Sequence, residues 1–388
     1  MNRIGTRLPF NMPRDLGILS TANFIWGLGE GLFIFFYPLS LQRWKIDSVQ
    51  IGAVLSLLGV IMAGVQAPAG YLSDRFGPRP LIRAAMILGV VAAGMMAAAN
   101  SLPVFIAGLI VYSVTSFIVA PINSYITQMR GSWSAQRGIT FVAASFQVGE
   151  IVGPMLGGWI AQTAGLAVVF RYSTGLFLIA TVVVFLARRP EVQQDAQESG
   201  TPLVNPLTNP RILGLLVIIF LTIVAISTPQ QLTSVYLQDV QHLSLQQIGL
   251  TGTFAGIGGA AVLVALGSIP ALAGMLAGQA LLGLFCIFMW RGQSAAVFYI
   301  GYLFVSGYRL YHSMAAVAIR PLVRTKDIGL AYGLVETGNA LAVILAPLVA
   351  GFLYHNKPEW VYTVSLIALI VTIALTAVWW VWSARQRK

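Results

Sequence analysis

Apolar residues along this chain run together in blocks, separated by short stretches of charge, proline and glycine, rather than alternating with polar ones as on a soluble helix or strand. A helix needs about 20 apolar residues to cross the hydrocarbon of a bilayer, so each block predicts a membrane span. Twelve emerge, at about 16–41, 50–72, 81–99, 102–127, 139–163, 167–187, 211–237, 247–266, 269–290, 295–319, 328–354 and 360–382. Only Gly267-Ser268-Ile269-Pro270 separates the eighth from the ninth, which leaves a fused or re-entrant segment open there. The first block follows Arg3, Arg7 and Arg14 as a secretory signal would, but it is too long for one and runs into Phe35, Phe36 and Tyr37. It reads as a membrane helix.

The longest polar stretch follows the sixth block and holds Glu191, Asp195, Glu198 and four prolines. The predicted organisation is therefore a six-helix bundle over 1–187, a cytoplasmic linker over 188–210 and a second six-helix bundle over 211–388. Alternating the loops across the membrane places 17 of the 23 Lys and Arg residues on the side of both termini and five on the other, with Arg309 alone inside a span. Cytoplasmic loops collect Lys and Arg, so an integral protein of the cytoplasmic membrane with both termini cytoplasmic is expected.

Composition narrows the function. Of 388 residues, 57% are hydrophobic and 9% charged, against roughly 25% charged in a soluble domain; a soluble enzyme and a disordered chain are both excluded. The net charge of +11 is scattered singly between apolar runs, whereas a nucleic-acid binder needs a contiguous basic face. One cysteine, Cys286, and three histidines supply neither a disulfide nor a metal cluster. No phosphate-cradling G-x-x-x-x-G-K-[ST] loop occurs, which disfavours a primary pump. No enzyme activity, cofactor or metal is expected.

The chain repeats itself. Leu41-Gln42-Arg43-Trp44-Lys45-Ile46-Asp47-Ser48-Val49-Gln50-Ile51-Gly52 returns as Leu237-Gln238-Asp239-Val240-Gln241-His242-Leu243-Ser244-Leu245-Gln246-Gln247-Ile248-Gly249, and Gly153-Pro154-Met155-Leu156-Gly157-Gly158 as Ala346-Pro347-Leu348-Val349-Ala350-Gly351. Parallel six-helix repeats build one transporter architecture, with substrate bound near the bilayer midplane between the halves.

Between the second and third spans stands Gly70-Tyr71-Leu72-Ser73-Asp74-Arg75-Phe76-Gly77-Pro78-Arg79-Pro80-Leu81. This resembles the loop motif of the major facilitator superfamily, G-x-L-[SA]-D-R-x-G-[RK]-[RK], with Pro78 in place of a basic residue. The resemblance implies an all-α membrane fold of 12 helices in two pseudo-symmetric bundles, and a gate built from Gly70, Asp74, Arg75, Gly77 and Arg79. The fifth span, Gly149-Glu150-Ile151-Val152-Gly153-Pro154-Met155-Leu156-Gly157-Gly158, resembles the antiporter motif of the same superfamily, found chiefly in exporters. Its Gly149, Gly153, Pro154, Gly157 and Gly158 permit close helix packing. Proton-coupled members carry an arginine in the fourth helix. Here that helix has none, and Arg309 stands 197 residues beyond Tyr112.

Four charges fall well inside spans: Glu30, Glu150, Arg309 and Glu336. Each costs about 2.5–3.5 kcal/mol at a helix centre, so such residues commonly face a cavity and carry function. Glu30 shares a helical face with Asn23 and Trp26; Glu150 follows Gln147 by three positions, and Glu336 precedes Asn339 by three. Arg309 and His312 lie one turn apart. Each carboxylate can alternatively serve as an interhelical hydrogen bond, and Arg309 as a structural ion pair. Residues Asn23, Trp26, Glu30, Gln147, Glu150, Arg309, His312, Glu336 and Asn339 are the candidates for binding substrate or protons. The expected function is a monomeric secondary transporter that exports a small organic molecule in exchange for protons across the bilayer by alternating access. Uptake or facilitated diffusion of a small anionic or polar metabolite is the alternative, and a non-transporting membrane sensor a more distant one.

Overall fold

The computed structural model describes residues 12–187, 209–266, 269–323 and 328–385; the side chains of residues 67, 70, 74, 263, 328, 329, 384 and 385 fall outside the description. The predicted linker over 188–210 lies almost wholly outside the described residues, as do Gly267 and Ser268 between the eighth and ninth spans. Helices account for nearly all of what is described, and no strand occurs among the described residues. That is what a lipid environment imposes, since a helix satisfies its own backbone polar groups internally.

In chain order the helices are α1 (Arg14–Phe33), α2 (Tyr37–Gln42), α3 (Ser48–Phe76), α4 (Pro78–Ala98), α5 (Leu102–Val114), α6 (Val119–Met129), α7 (Ala135–Ala164) and α8 (Leu166–Phe185). There follow α9 (Pro210–Gln231), α10 (Thr233–Asp239), α11 (Leu245–Leu266), α12 (Ala271–Arg291), α13 (Ala295–Leu303), α14 (Gly307–Ile319), α15 (Ile328–Asn356) and α16 (Trp360–Arg385). Eleven stretches of the described residues are long and apolar enough to cross a membrane. The tenth predicted span, 295–319, is filled by two short helices, α13 and α14, that meet at residues 304–306. The break has a local cause. Ser306 Oγ donates to Leu303 O at 2.9 Å, and successive amides bond three residues back, Phe304 to Gly301 and Gly307 to Phe304, both at 3.0 Å. A side chain competing for its own helix's carbonyl and a tightened turn interrupt a helix in this way.

The same happens in three other spans. The first is tightened at Ile34–Phe36, the fourth at Thr115–Ile118, and the seventh changes direction at Leu232 between α9 and α10. Every third span, beginning with the first, is thus discontinuous.

The sequence repeat is also a backbone repeat. Lys45 and His242, 197 positions apart, are the two described non-glycine residues at positive φ (59° and 54°). Each is followed by a reciprocal cap: Gln50 N–H donates to Asp47 Oδ1 at 2.8 Å and Asp47 N–H to Gln50 Oε1 at 3.1 Å. In the second copy Gln247 N–H donates to Ser244 Oγ at 3.2 Å and Ser244 N–H to Gln247 Oε1 at 2.9 Å. This is a capping box, present at matched positions in both copies.

Two compact units result. The first comprises Met1–Tyr37 with Val60–Gln197, the second Pro38–Gly59 with Glu198–Lys388; helix α3 therefore contributes to both. In the first unit α1 packs on α7 and α8, and α4 on α8 and α5. The α1–α7 contact is made at backbone level: a Cβ on Gly153 would lie 2.6 Å from Gly31 Cα, and one on Gly157 2.8 Å from Leu32 Cα. Without hydrophobic drive between helices in lipid, such approach is what holds them. In the second unit α9 packs on α15 and α16, and α12 on α14 and α16. The first turns of α3 join it through Ser48 Oγ, which donates to Gly351 O at 3.1 Å, and Ser56 Oγ, which bonds Ile344 O.

Candidate functional site

In the first unit the ionisable groups inside the helices gather around Glu30, in the last turn of α1. Its half-buried side chain lies beside the Tyr112 hydroxyl of α5 and the Trp26 indole, one turn earlier on α1, and Glu150 of α7 is within electrostatic reach. Phe177 of α8 stacks with Trp26 at 4.1 Å and with Tyr112 at 5.9 Å, while Phe33 meets Tyr112 edge-on at 5.3 Å and Tyr37 at 5.2 Å. Such ring pairs prefer these offset and edge geometries. Trp26 can lie here because Gly89 of α4 carries no side chain: a Cβ there would lie 2.7 Å from the Trp26 ring atom Cζ2. Two neutral groups able to donate a hydrogen bond thus lie near an acid beside a wall of rings.

The other sequence candidates in this unit sit nearby in different roles. Asn23 turns back on its own helix, its Nδ2 donating to Leu19 O at 2.9 Å. Gln147 is half-buried on α7, one turn before Glu150. Gly149, Gly153, Pro154, Gly157 and Gly158 are all buried on α7, and their spacing brings the Glu150 backbone against Gly31. Tyr112 was not among the candidates; its signal in the sequence was its offset of 197 from Arg309 and its place in the helix that lacks an arginine.

At the other end of the first unit lies the loop motif. The surroundings of Gly70 and Asp74 are outside the described residues. Gly77 makes the turn between α3 and α4 at φ 78°, a left-handed conformation that glycine adopts without strain. Arg75 lies over the Phe76 ring at 5.4 Å. Arg79 donates to Ala187 O at 2.6 Å and Arg83 to Phe185 O at 3.1 Å, so both guanidinium groups meet the carbonyl end of α8. Cations are favoured at that end of a helix. Asp15, only 7% exposed and also absent from the candidates, accepts from the Tyr125 hydroxyl at 3.4 Å, and Tyr125 feels Arg79 and Arg83 as well.

The second unit carries a different cluster. Tyr308 Oη donates to Asn339 Oδ1 at 3.0 Å, and His312 Nε2 lies 3.2 Å from Glu336 Oε1. These pairs form two rungs between α14 and α15, one turn apart, with the Tyr308 and His312 rings stacked at 6.1 Å. Glu336 is 59% exposed at its side chain. Arg309 is exposed on α14, within electrostatic reach of Tyr308. The rungs stand directly after the break at 304–306, as Tyr112 stands directly before the one at 115–118.

Apolar helices that keep their few ionisable groups beside helix interruptions define the class of a membrane transport protein, because discontinuous membrane helices are where transporters expose backbone and charge to a cargo. The family model of the Major Facilitator Superfamily matches residues 19–273, and the chain belongs to that superfamily; it is a transporter, not an enzyme. It is similar to Multidrug resistance protein 1 of Bacillus subtilis, 20% identical over 94% of this chain and 96% of that one. It is similar also to the class E tetracycline resistance protein of Escherichia coli, 24% identical over 93% and 95%. Among solved structures, the nucleoside transporter NupG superimposes with a TM-score of 0.78 at 14% identity, over 95% of this chain and 98% of that one. At that identity the likeness establishes the fold.

Proposed function

We propose that this protein is a proton-coupled exporter of small organic cations that works by alternating access. The observation that carries the reading is the Glu30 site: one intramembrane carboxylate, two neutral donors, aromatic faces and no cation among its described partners. A carboxylate so placed takes a proton or a positively charged substrate in turn, since either one satisfies its charge and the aromatic faces add attraction for an organic cation. Binding of one is release of the other, which is the chemistry of exchange. Glu150 adds a second negative charge to the same locality.

The direction of transport is supported by the two relatives named for drug and tetracycline resistance. Discontinuities in the first, fourth, seventh and tenth spans give the units places to flex as the site faces each side. The excess of Lys and Arg on one set of loops supports insertion in the cytoplasmic membrane with both termini inside. The protein acts as a monomer with protons and a small molecule as its partners, and needs no cofactor.

The test is transport by the purified protein in liposomes under an imposed pH gradient, with a fluorescent organic cation as cargo. Proton flux and dye movement are expected in opposite directions at a fixed ratio. Glu30→Gln should lower exchange by at least about 100-fold, as loss of a group essential to the cycle does. Dye movement with no proton flux, or full exchange by the Glu30→Gln protein, overturns the reading.

A further inference from the structure

Helix α8 carries an exposed stripe. Arg171, Tyr172, Gly175, Leu178, Ile179 and Val182 follow one another at helical spacing and all stay exposed, while Phe170, Phe177 and Ala180 on the opposite side are buried, where α8 packs on α1 and α4. Leu178, Ile179 and Val182 are each more than half exposed. In a span, such an apolar stripe faces acyl chains, since a water-filled path would be lined by polar groups. Towards the Leu166 end the stripe changes character: Val168, Arg171, Tyr172, Gly175, Leu176 and Ile179 line a groove of about 460 Å³. We propose that this groove binds one anionic phospholipid, its phosphate on the Arg171 guanidinium and one acyl chain along Gly175, Leu176 and Ile179.

Charge, depth and shape carry it. Arg171 lies on a membrane span yet makes no hydrogen bond, ion pair or ring contact among the described residues, whereas Arg79 and Arg83 meet the carbonyls of Ala187 and Phe185 at the other end of α8. A guanidinium on a span calls for an anion, and its planar fork matches a phosphate with two parallel hydrogen bonds. Arg171 stands five positions beyond Leu166, the first residue of α8, about 7.5 Å along the axis at 1.5 Å per residue. From that depth a long side chain brings its head to the headgroup layer, and the neighbouring Tyr172 is of a type enriched at that level. Gly175 leaves the floor of the groove open, since a Cβ there would meet no heavy atom within 4 Å.

The occupant is a lipid rather than a free anion, because Val168, Leu176 and Ile179 offer a phosphate nothing and an acyl chain an apolar bed. It is an anionic lipid, because a zwitterionic headgroup brings its own cation to compete with Arg171 for the phosphate. One wall of the groove also backs the candidate site. A Cβ on Gly29 of α1 would stand 3.3 Å from Leu176 Cβ and 2.8 Å from Phe177 Cε1, and Gly29 directly precedes Glu30. A lipid seated on α8 therefore covers the far side of the helix against which the Glu30 turn rests. With both termini inside, as proposed above, the groove opens to the outer leaflet.

The experiment uses the full-length protein purified in a neutral detergent, with phosphatidylglycerol and phosphatidylethanolamine of identical chains as probes. Native mass spectrometry reads the affinity of the first lipid bound, and thermal unfolding reads its effect on the fold. Phosphatidylglycerol should bind more tightly than phosphatidylethanolamine and raise the thermal midpoint, as any ligand of the folded state does. Arg171→Gln should lower that affinity about 5- to 10-fold, the effect of one basic residue on an anionic lipid, and erase the preference between the two headgroups. Gly175→Leu fills open space on a helix, so its lipid-free midpoint should match or exceed the parent's, while its affinity for both lipids falls several-fold. Unchanged affinity for phosphatidylglycerol in either variant overturns the proposal. So does a parent protein that binds the two lipids equally. Equal stabilisation by inorganic phosphate at the same concentration also overturns it, and makes Arg171 a site for the free anion.

Discussion

The two units hold their ionisable groups in opposite ways. In the first, Glu30 sits among buried rings on a helix fastened to α7 by glycine contacts, and its partners are neutral donors. In the second, Glu336 is exposed and matched by His312, and the rungs to α15 are themselves part of what joins the two helices. A charge without a counter-charge must be held by a rigid surround, because any loosening lets a neighbour rotate away and leaves the group unsatisfied. A paired, exposed charge tolerates movement, since water replaces either partner at little cost. The comparison assigns rigidity to the first site and adaptability to the second. On the proposed reading, that is a division between a carboxylate that must return to the same place in every cycle and a surface that can accommodate different cargoes.

The comparison breaks first if α1 does not need its backbone contact with α7. In Gly157→Leu the new side chain must enter space occupied by the Leu32 backbone, with Leu32 carbonyl carbon 2.7 Å from the position of the Cβ. Backbone cannot step aside as a flexible side chain can, so the cost should reach about 3 kcal/mol or more, the upper end for overpacking. The expected outcome is loss of the monodisperse peak on size-exclusion chromatography. A monodisperse protein with the parental melting temperature would show that α1 and α7 part freely, and that the first site is no more rigid than the second.

The next effect is smaller and lies in the ring stack. Phe177 is fully buried and touches Trp26, Tyr112 and Phe33. Phe177→Ala should cost on the order of 3 kcal/mol through the cavity it leaves, lowering the thermal midpoint by several degrees, and should weaken dye binding because both donors to Glu30 lose their seat. A lowered midpoint with dye binding untouched would separate the stack from the site and make it core packing alone.

How much of this was legible beforehand follows from what each feature depends on. The spans are a property of consecutive residues, and they could be read. The repeat could be read because its capping residues, Asp47 with Gln50 and Ser244 with Gln247, are local in sequence. Glu30 stood out because a carboxylate in an apolar run is costly wherever the run is placed. Its donors were half visible: Trp26 lies four positions earlier on the same helix, whereas Tyr112 arrives from another helix whose rotation no local pattern fixes. The breaks at 115–118 and 304–306 were missed because a serine or threonine bonding back to its own helix looks like any other in sequence. The capping of α8 by Arg79 and Arg83 was missed because donor and acceptor lie about a hundred residues apart.

The smallest effect is the sharpest on the second site. With Glu336 59% exposed, the His312–Glu336 contact is largely screened, and exposed pairs of this kind contribute about 0–1 kcal/mol. His312→Ala should therefore leave the melting temperature within a degree or two of the parent. The neighbouring rung, Tyr308 to Asn339, is retained in that variant and keeps α14 on α15. If the second unit serves as the adaptable surface, the loss should appear in selectivity: KM values for a panel of cationic dyes should change unequally, by a few-fold in each direction, while proton exchange per dye stays constant. A drop in stability as large as that of Phe177→Ala would mean that the rungs are a structural lock, and the contrast between the two units would vanish. Uniform loss of transport for every dye would instead place His312 beside Glu30 in the exchange itself, and move the second site from accommodating cargo to driving it.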